Sequence, residues 1–183
     1  GAGDIPRLVL IFTLDGLTKE GYKAVFLGVG CHKGKGLGVP GEERSLKGYI
    51  TGVKFLLFIN HYHINIGIPM DLGEKMVVVG GGNVAMDCAR SALRMGVKEV
   101  HVVYRRSKNE MPADPEEIEG AEKEGVIFHF LSHPRRIVTR DKVVTGIELI
   151  KMELGQPDAS GRRSVRPIEG SEHMLDVDFV VPA

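Results

Sequence analysis

The segment 76–106 constrains the fold more than any other part of the sequence, because it combines a strand, a glycine-rich turn, a helix and a second strand. Residues 76–79 form a short apolar run, MVVV, typical of a strand buried on both faces. Residues 80–85 then match the pattern G-x-G-x-x-A. The first glycine allows a sharp turn, the second lets the backbone approach a pyrophosphate, and the small last residue lets the helix pack closely on the sheet. We therefore predict a βαβ unit that binds a dinucleotide.

The helix that follows the turn is indicated at both ends. Asn83 can cap its first turn, and Gly96 lies where a helix-terminating glycine is common. The free N–H groups and the positive dipole end of such a helix point toward the phosphates. We predict that the pyrophosphate is held by six consecutive residues, Gly80, Gly81, Gly82, Asn83, Val84 and Ala85.

The end of the second strand, residues 99–104, indicates which dinucleotide is bound. An NAD-binding unit has an Asp or Glu here for the ribose hydroxyls, whereas this chain has Tyr104, Arg105 and Arg106. Two guanidinium groups match a dianionic 2′-phosphate. We therefore predict NADPH as the cofactor, with both arginines on the 2′-phosphate and Tyr104 near the adenosine. The alternative is a βαβ unit that binds no phosphate and whose arginines are solvated.

The remaining pattern predicts an α/β fold, a Rossmann-like parallel sheet with an antiparallel β-hairpin or meander, as in FAD/NAD(P)-binding proteins. Asp114 should cap a helix that begins with Pro115 and runs to Lys123. Arg162, Arg163 and Arg166 are most simply a solvated strand edge. We expect parallel strands near 76–80, 99–104, 126–131 and 177–181, a hairpin near 137–154 that Pro134 separates from the third strand, further strands at 8–14 and 22–29, and a helix over 45–60.

Composition excludes several classes of function. The 183 residues carry no net charge, which argues against non-specific nucleic-acid binding. No run is long and apolar enough to cross a bilayer. Cys31 and Cys88 lack metal or redox spacing, and His61 and His63 have no third candidate ligand nearby, so we predict no metal site. The cysteine usage fits a reducing cytoplasm.

Several stretches together resemble the pyridine-nucleotide domain of the two-dinucleotide flavoproteins, especially the glutamate synthase small (beta) subunit and the similar region of dihydropyrimidine dehydrogenase. The glycine turn alone is shared by many families, whereas its joint occurrence with the other stretches is far more specific. The matching stretches are YKAVFLGVG at 22–30, GVPGE at 38–42, VVVGGGNVAMD at 77–87, YRRSKNEMPA at 104–113, EKEGV at 122–126 and DFVVPA at 178–183.

The resemblance implies that the chain is a fragment of a larger flavoprotein in which an NADPH domain is inserted into an FAD domain. Residues 1–40 would be a remnant of the FAD-domain crossover, 41–75 a connector helix and linker, and 76–183 the NADPH-binding domain. The family's FAD motif lies upstream, and this sequence has no second glycine motif directly after a predicted strand, so FAD belongs to the complete enzyme. The implied activity is hydride delivery from NADPH to FAD and on to iron–sulfur centres or a partner subunit.

This activity requires no catalytic side chain on the domain, because the cofactor carries the chemistry. By resemblance Glu110 and Met111 approach the cofactor and Lys108 assists; all three could equally be ordinary surface-loop residues. Two other classes remain. A methyltransferase would have an acid where Arg105 and Arg106 stand, and a non-catalytic module would only dock subunits. The final electron acceptor is open among glutamate synthesis, pyrimidine reduction and hydrogenase- or ferredoxin-linked transfer.

Overall fold

The computed structural model describes residues 13–26, 34–63, 70–157 and 162–183, without the side chains of residues 62 and 63. The chain forms two compact units, residues 1–31 and 32–183. In the described part of the smaller unit, α1 (Leu14–Lys19) begins after Thr13, whose hydroxyl accepts a hydrogen bond from the Gly16 N–H at 3.0 Å.

The strands predicted in the smaller unit are wrong where they can be checked. Leu14 lies in a helix, and residues 22–26 form no strand. Residues 22–26 are exposed, and within 13–26 no neighbouring strand takes up their backbone hydrogen bonds, so their apolar composition alone does not produce a strand. The remaining parts of both predicted strands, 8–12 and 27–29, lie outside the described residues.

The described residues of the larger unit form three α-helices, one short 3-10 helix (Lys108–Glu110) and two sheets. In chain order its elements are α2 (Gly52–His63), β1 (Lys75–Val79), α3 (Asn83–Arg94), β2 (Glu99–Val103), α4 (Pro115–Lys123), β3 (Ile127–His129), β4 (Ser132–Arg140), β5 (Val143–Pro157), β6 (Arg163–Pro167), β7 (His173–Leu175) and β8 (Phe179–Pro182). The capped helix at 115–123 is confirmed, with the Asp114 side chain accepting from the Glu116 N–H at 3.1 Å.

The predicted parallel sheet is confirmed. Its four strands lie in the order β3-β2-β1-β8 and all run in the same direction. Met76 of β1 pairs with Val100 of β2 on one side and with Phe179 of β8 on the other. The apolar residues at the centre of β1 and β2 are buried, as expected for strands covered on both faces.

One face of this sheet is covered by α3, which presents small side chains to it. Ala85, Cys88, Ala89 and Ala92 are all fully buried and lie in one core cluster with Val100 of β2. Small residues at helical spacing let the helix axis approach the sheet. The helix ends at Arg94 and is followed by the positive-φ glycine that the sequence predicted, Gly96 at φ +93°.

The opposite face is covered by the predicted hairpin, which belongs to a larger antiparallel sheet. In this sheet β5 pairs with β4, β6 and β7. Asp141 and Lys142 make the β4–β5 turn with φ of 50° and 62°. Pro134 was expected to interrupt the chain, but it lies within β4, where its missing N–H costs little because β4 pairs with β5 alone among the described strands.

The helix predicted at 45–60 begins later than expected. It starts at Gly52, and the residues before it pair with strands instead. Lys47 forms a bridge with Val143, and Tyr49 forms one with Val180. The apolar residues near 50 are therefore used to attach this segment to both sheets, an outcome that helical spacing within the segment does not reveal.

Candidate cofactor-binding site

The first two glycines of the turn are required by packing within the protein. The Gly80 N–H continues the sheet by donating to the Val103 carbonyl at 3.1 Å. A Cβ on Gly80 would lie 2.3 Å from the Ala183 carbonyl oxygen, and one on Gly81 would lie 2.5 Å from the Tyr104 ring. Neither position has room for a side chain, so these glycines fix how closely the turn approaches β2 and β8.

The third glycine differs from the other two. Gly82 is the N-cap residue of α3, with φ −94° and ψ 177°, a conformation open to any residue. A Cβ at this position would meet no atom within 4 Å. The protein therefore leaves space beside Gly82, directly before the first turn of α3, where helix N–H groups have no intrahelical acceptor. A pyrophosphate at a helix N-terminus needs this space and these donors.

Asn83 does not cap α3 as the sequence predicted. It is the first helical residue, and its Oδ1 accepts a hydrogen bond from the Asp114 N–H at 2.8 Å. The Gly81 carbonyl accepts another from the Ala113 N–H at 3.1 Å. Asn83 thus ties the glycine turn to the segment before α4. Of the other two residues predicted to bind the pyrophosphate, Val84 is 39% exposed and Ala85 is buried.

Tyr104 connects the glycine turn to the arginine pair. Its side chain is buried against Gly81, and its hydroxyl donates to the Glu110 carbonyl at 2.7 Å. The next residue, Arg105, is exposed, and Arg106 is half-buried. Tyr104 therefore packs beneath the turn, while the two arginines that follow it are accessible to solvent.

A cleft of about 290 Å³ lies at this end of β2. Its lining contains three arginines, two of which the sequence predicts as site residues. The third is Arg162, for which the sequence predicts only a solvated strand edge. The lining residues are Tyr104, Arg105, Arg106, Glu110, Pro112 and Arg162.

Arg106 is fixed to the antiparallel sheet. Its Nε donates to the carbonyl of Arg163 in β6 at 2.8 Å. His133 is affected by Arg105: burial and the positive charge of Arg105 lower the pKa of His133. A neutral His133 adds no further charge, so the positive character of the cleft comes from guanidinium groups, which stay charged at any working pH.

The loop after the arginines is held by its own contacts. The Glu110 carboxylate accepts from the Ser107 N–H at 3.0 Å, and Met111 is buried. Lys108 forms an ion pair with Glu122 at 2.6 Å. In this arrangement Glu110 lines the cleft, Met111 packs in the core, and the charge of Lys108 is already compensated.

The described residues provide neither a metal centre nor a reactive thiol. They contain no group of three potential His, Cys, Asp or Glu ligands. Burial raises the pKa of the Cys88 thiol to about 12, so it stays protonated. In the same part of the chain, no helix is long and apolar enough to span a membrane.

Several curated proteins resemble the chain over most of its length. It is 48% identical to the NADP(+)-dependent formate dehydrogenase subunit beta of Moorella thermoacetica, over 97% of this chain and 24% of that protein. It is 47% identical to the NADPH-Fe(3+) oxidoreductase subunit beta of Geobacter sulfurreducens, over 90% of this chain and 24% of that protein. It is 37% identical to the glutamate synthase [NADPH] small chain of Escherichia coli, over 93% of this chain and 37% of that protein. The chain thus spans about a quarter to two fifths of these proteins.

Solved structures and the family match agree with the fold. FprA of Mycobacterium tuberculosis in complex with NADPH is 26% identical, with a TM-score of 0.67 over 92% of this chain and 51% of that one. The model of the pyridine nucleotide-disulphide oxidoreductase family matches residues 10–181 of the chain. The predicted FAD/NAD(P)-type fold and the resemblance to the glutamate synthase small subunit are therefore confirmed, and the chain belongs to the pyridine nucleotide-disulphide oxidoreductase family.

Proposed function

We propose that this chain is the NADPH-binding domain of a flavin-dependent oxidoreductase. The observation that carries the proposal is the pairing of an open N-terminus of α3 beside Gly82 with a cleft lined by Arg105 and Arg106. The first suits a pyrophosphate and the second suits a 2′-phosphate. The names of the relatives, which include NADPH-dependent enzymes, support the same assignment.

The residues of this chain would bind and orient the cofactor. Residues 80–85 would hold the pyrophosphate, with the backbone near Gly82 making the closest approach. Arg105 and Arg106 would take the 2′-phosphate, and Tyr104 would support the adenosine end from beneath. When bound, NADPH supplies the hydride, so the domain needs no acid, base or nucleophile of its own. Its contribution to rate is to position the nicotinamide.

In the complete enzyme we propose that the hydride passes to FAD and its electrons to iron–sulfur centres or a partner subunit. The support is that three relatives are named as a beta subunit or small chain and are much longer than this chain. The division into an FAD-domain remnant at 1–40, a connector at 41–75 and the cofactor domain at 76–183 is part of the same proposal, as is a cytoplasmic location.

Titration of NADPH and NADH into the purified chain at one fixed salt concentration tests the proposal. One charge-assisted hydrogen bond contributes about 1.5–3 kcal/mol, or roughly ten- to hundredfold in affinity. We expect NADPH to bind more tightly by this factor, and we expect added salt to reduce the difference. Absence of binding by both cofactors would contradict the proposal and favour the non-catalytic docking module.

Flavin binding by the chain alone is expected to be weak or absent. The glycine motif that follows a strand and opens a helix is assigned to NADPH, and the other match to G-x-G-x-x-G, GLGVPG at 36–41, lies in neither a strand nor a helix. The absorbance spectrum of the purified chain, mixed with excess FAD and then desalted, checks this. A stoichiometric yellow chromophore that survives desalting would show that the glycine turn, or another part of the chain, binds flavin.

A further inference from the structure

We propose that Arg162 is a third specificity-determining residue for the 2′-phosphate, supplied by the antiparallel sheet and not by the βαβ unit. The inference rests on the proposed function, since it concerns how the chain distinguishes NADPH from NADH. It begins from one observation: Arg162 lines the same cleft as Arg105 and Arg106, although it is distant from them in the sequence.

The position of Arg162 is set by β6, which begins at the next residue. Arg163 pairs with Pro157 and Val165 pairs with Leu154, so β5 holds the start of β6 in a defined place. The Arg163 carbonyl accepts the Arg106 Nε–H at 2.8 Å. This bond joins the start of β6 to the segment after β2, which explains why Arg162 reaches the same cleft.

The bond also leaves Arg106 able to bind a phosphate. A guanidinium group has five N–H donors, and the Arg163 carbonyl uses the one on Nε. The two terminal nitrogens keep the forked geometry that suits a phosphate. A fixed Nε therefore restricts the orientation of the Arg106 fork without consuming it.

Three other basic residues nearby make contacts outside the cleft. The Arg163 side chain donates from Nε to the Gly155 carbonyl at 3.1 Å, back along the hairpin. Arg166 forms an ion pair with Glu153 at 3.1 Å, and Lys108 forms one with Glu122 at 2.6 Å. Of the basic residues of β6 and the residue before it, only Arg162 lines the cleft. It is also exposed, so its removal leaves no buried gap.

The charges in the cleft fit a dianion. Three arginines and one glutamate, Glu110, are among the residues that line it. The Glu110 carboxylate already accepts the Ser107 N–H, which stabilises its negative charge locally. A phosphate monoester carries about 1.5 to 2 negative charges near neutral pH, so two arginines alone, opposed by Glu110, would leave it incompletely neutralised. A third arginine in the lining therefore suits a dianion better than Arg105 and Arg106 alone.

The test compares Arg162→Ala with the matched control Arg166→Ala in the same strand region. For each variant, NADPH and NADH are titrated by calorimetry at low and high salt, and thermal melting checks the fold. We expect Arg162→Ala to weaken NADPH binding about tenfold, the effect of one lost charge-assisted contact, and to leave NADH binding unchanged. Arg166→Ala should change neither. Arg162→Lys should recover part of the loss, because it keeps the charge but not the fork.

Each outcome bears on a separate claim. If the wild-type chain prefers NADPH and Arg162→Ala has the wild-type ratio of affinities, the inference about Arg162 is wrong while the proposed function stands. Equal weakening of both cofactors would assign Arg162 to positioning the hairpin and would also overturn it. If the wild-type chain binds neither cofactor, the proposed function itself fails.

Discussion

Replacing Gly82 with alanine should weaken NADPH binding strongly while leaving the fold intact. In the free protein the added Cβ meets no atom within 4 Å, and the extended backbone at φ −94° accepts alanine without strain. In the complex the methyl group would occupy the space through which the pyrophosphate approaches the α3 N-terminus. Overpacking of this kind costs about 1–3 kcal/mol, or roughly five- to hundredfold in affinity.

Gly80→Ala is the matched control, because it adds the same methyl group two residues away. There the Cβ would lie 2.3 Å from the Ala183 carbonyl oxygen, so the substitution should lower the thermal midpoint of the protein itself. Melting curves and NADPH titrations of both variants separate the two effects. An unchanged NADPH affinity in Gly82→Ala would mean that the phosphates do not approach this glycine.

The parts of the site that local sequence determines were predicted correctly. The strand before the turn, the helix after it and Gly96 at φ +93° all follow from residues of one continuous segment, 75–96. The helix beginning at Pro115 was equally local, because its N-cap and its first residues lie side by side. Parallel pairing of the flanking strands then follows from the alternation of strand and helix.

Contacts between distant segments account for what the sequence did not reveal. An asparagine before a helix is a common cap, and only the position of Asp114, 31 residues away, shows that Asn83 binds there instead. Arg106 meets the Arg163 carbonyl across 57 residues. The position of Arg163 relative to Arg106 depends on the pairing of β6 with β5. The register of this pairing shifts between Leu154 and Pro157, and no sequence pattern indicates the shift. The sequence alone therefore predicts only a solvated strand edge for Arg162.

The second large effect is expected from replacing both arginines after β2. NADPH and NADH differ in the 2′-phosphate alone, so a preference between them must come from groups that touch it. Arg105→Ala with Arg106→Ala should remove most of the preference, roughly ten- to hundredfold, by weakening NADPH binding and sparing NADH. Because Arg105 is exposed and salt screens its charge, we expect the lost preference to be nearer tenfold than hundredfold.

The single variants separate two contributions to this effect. Arg105 is exposed, so Arg105→Ala should remove a phosphate contact without changing stability. Arg106 also holds the Arg163 carbonyl, so Arg106→Ala should loosen the start of β6 and change the position of Arg162. A larger loss of NADPH affinity is therefore expected for Arg106→Ala than for Arg105→Ala, measured under the same conditions.

The most direct measurement is a set of four titrations: NADPH and NADH, each into the wild-type chain and into the Arg105→Ala, Arg106→Ala double variant, at one salt concentration. The ratio of the two affinities in the wild type, divided by the ratio in the variant, isolates the contribution of the arginines to reading the 2′-phosphate. We predict a wild-type ratio of roughly ten to a hundred in favour of NADPH and a much smaller variant ratio, because only Arg162 remains and Arg106 no longer positions it. Equal wild-type affinities, or a ratio that the double variant leaves unchanged, would contradict the assignment of this domain to NADPH.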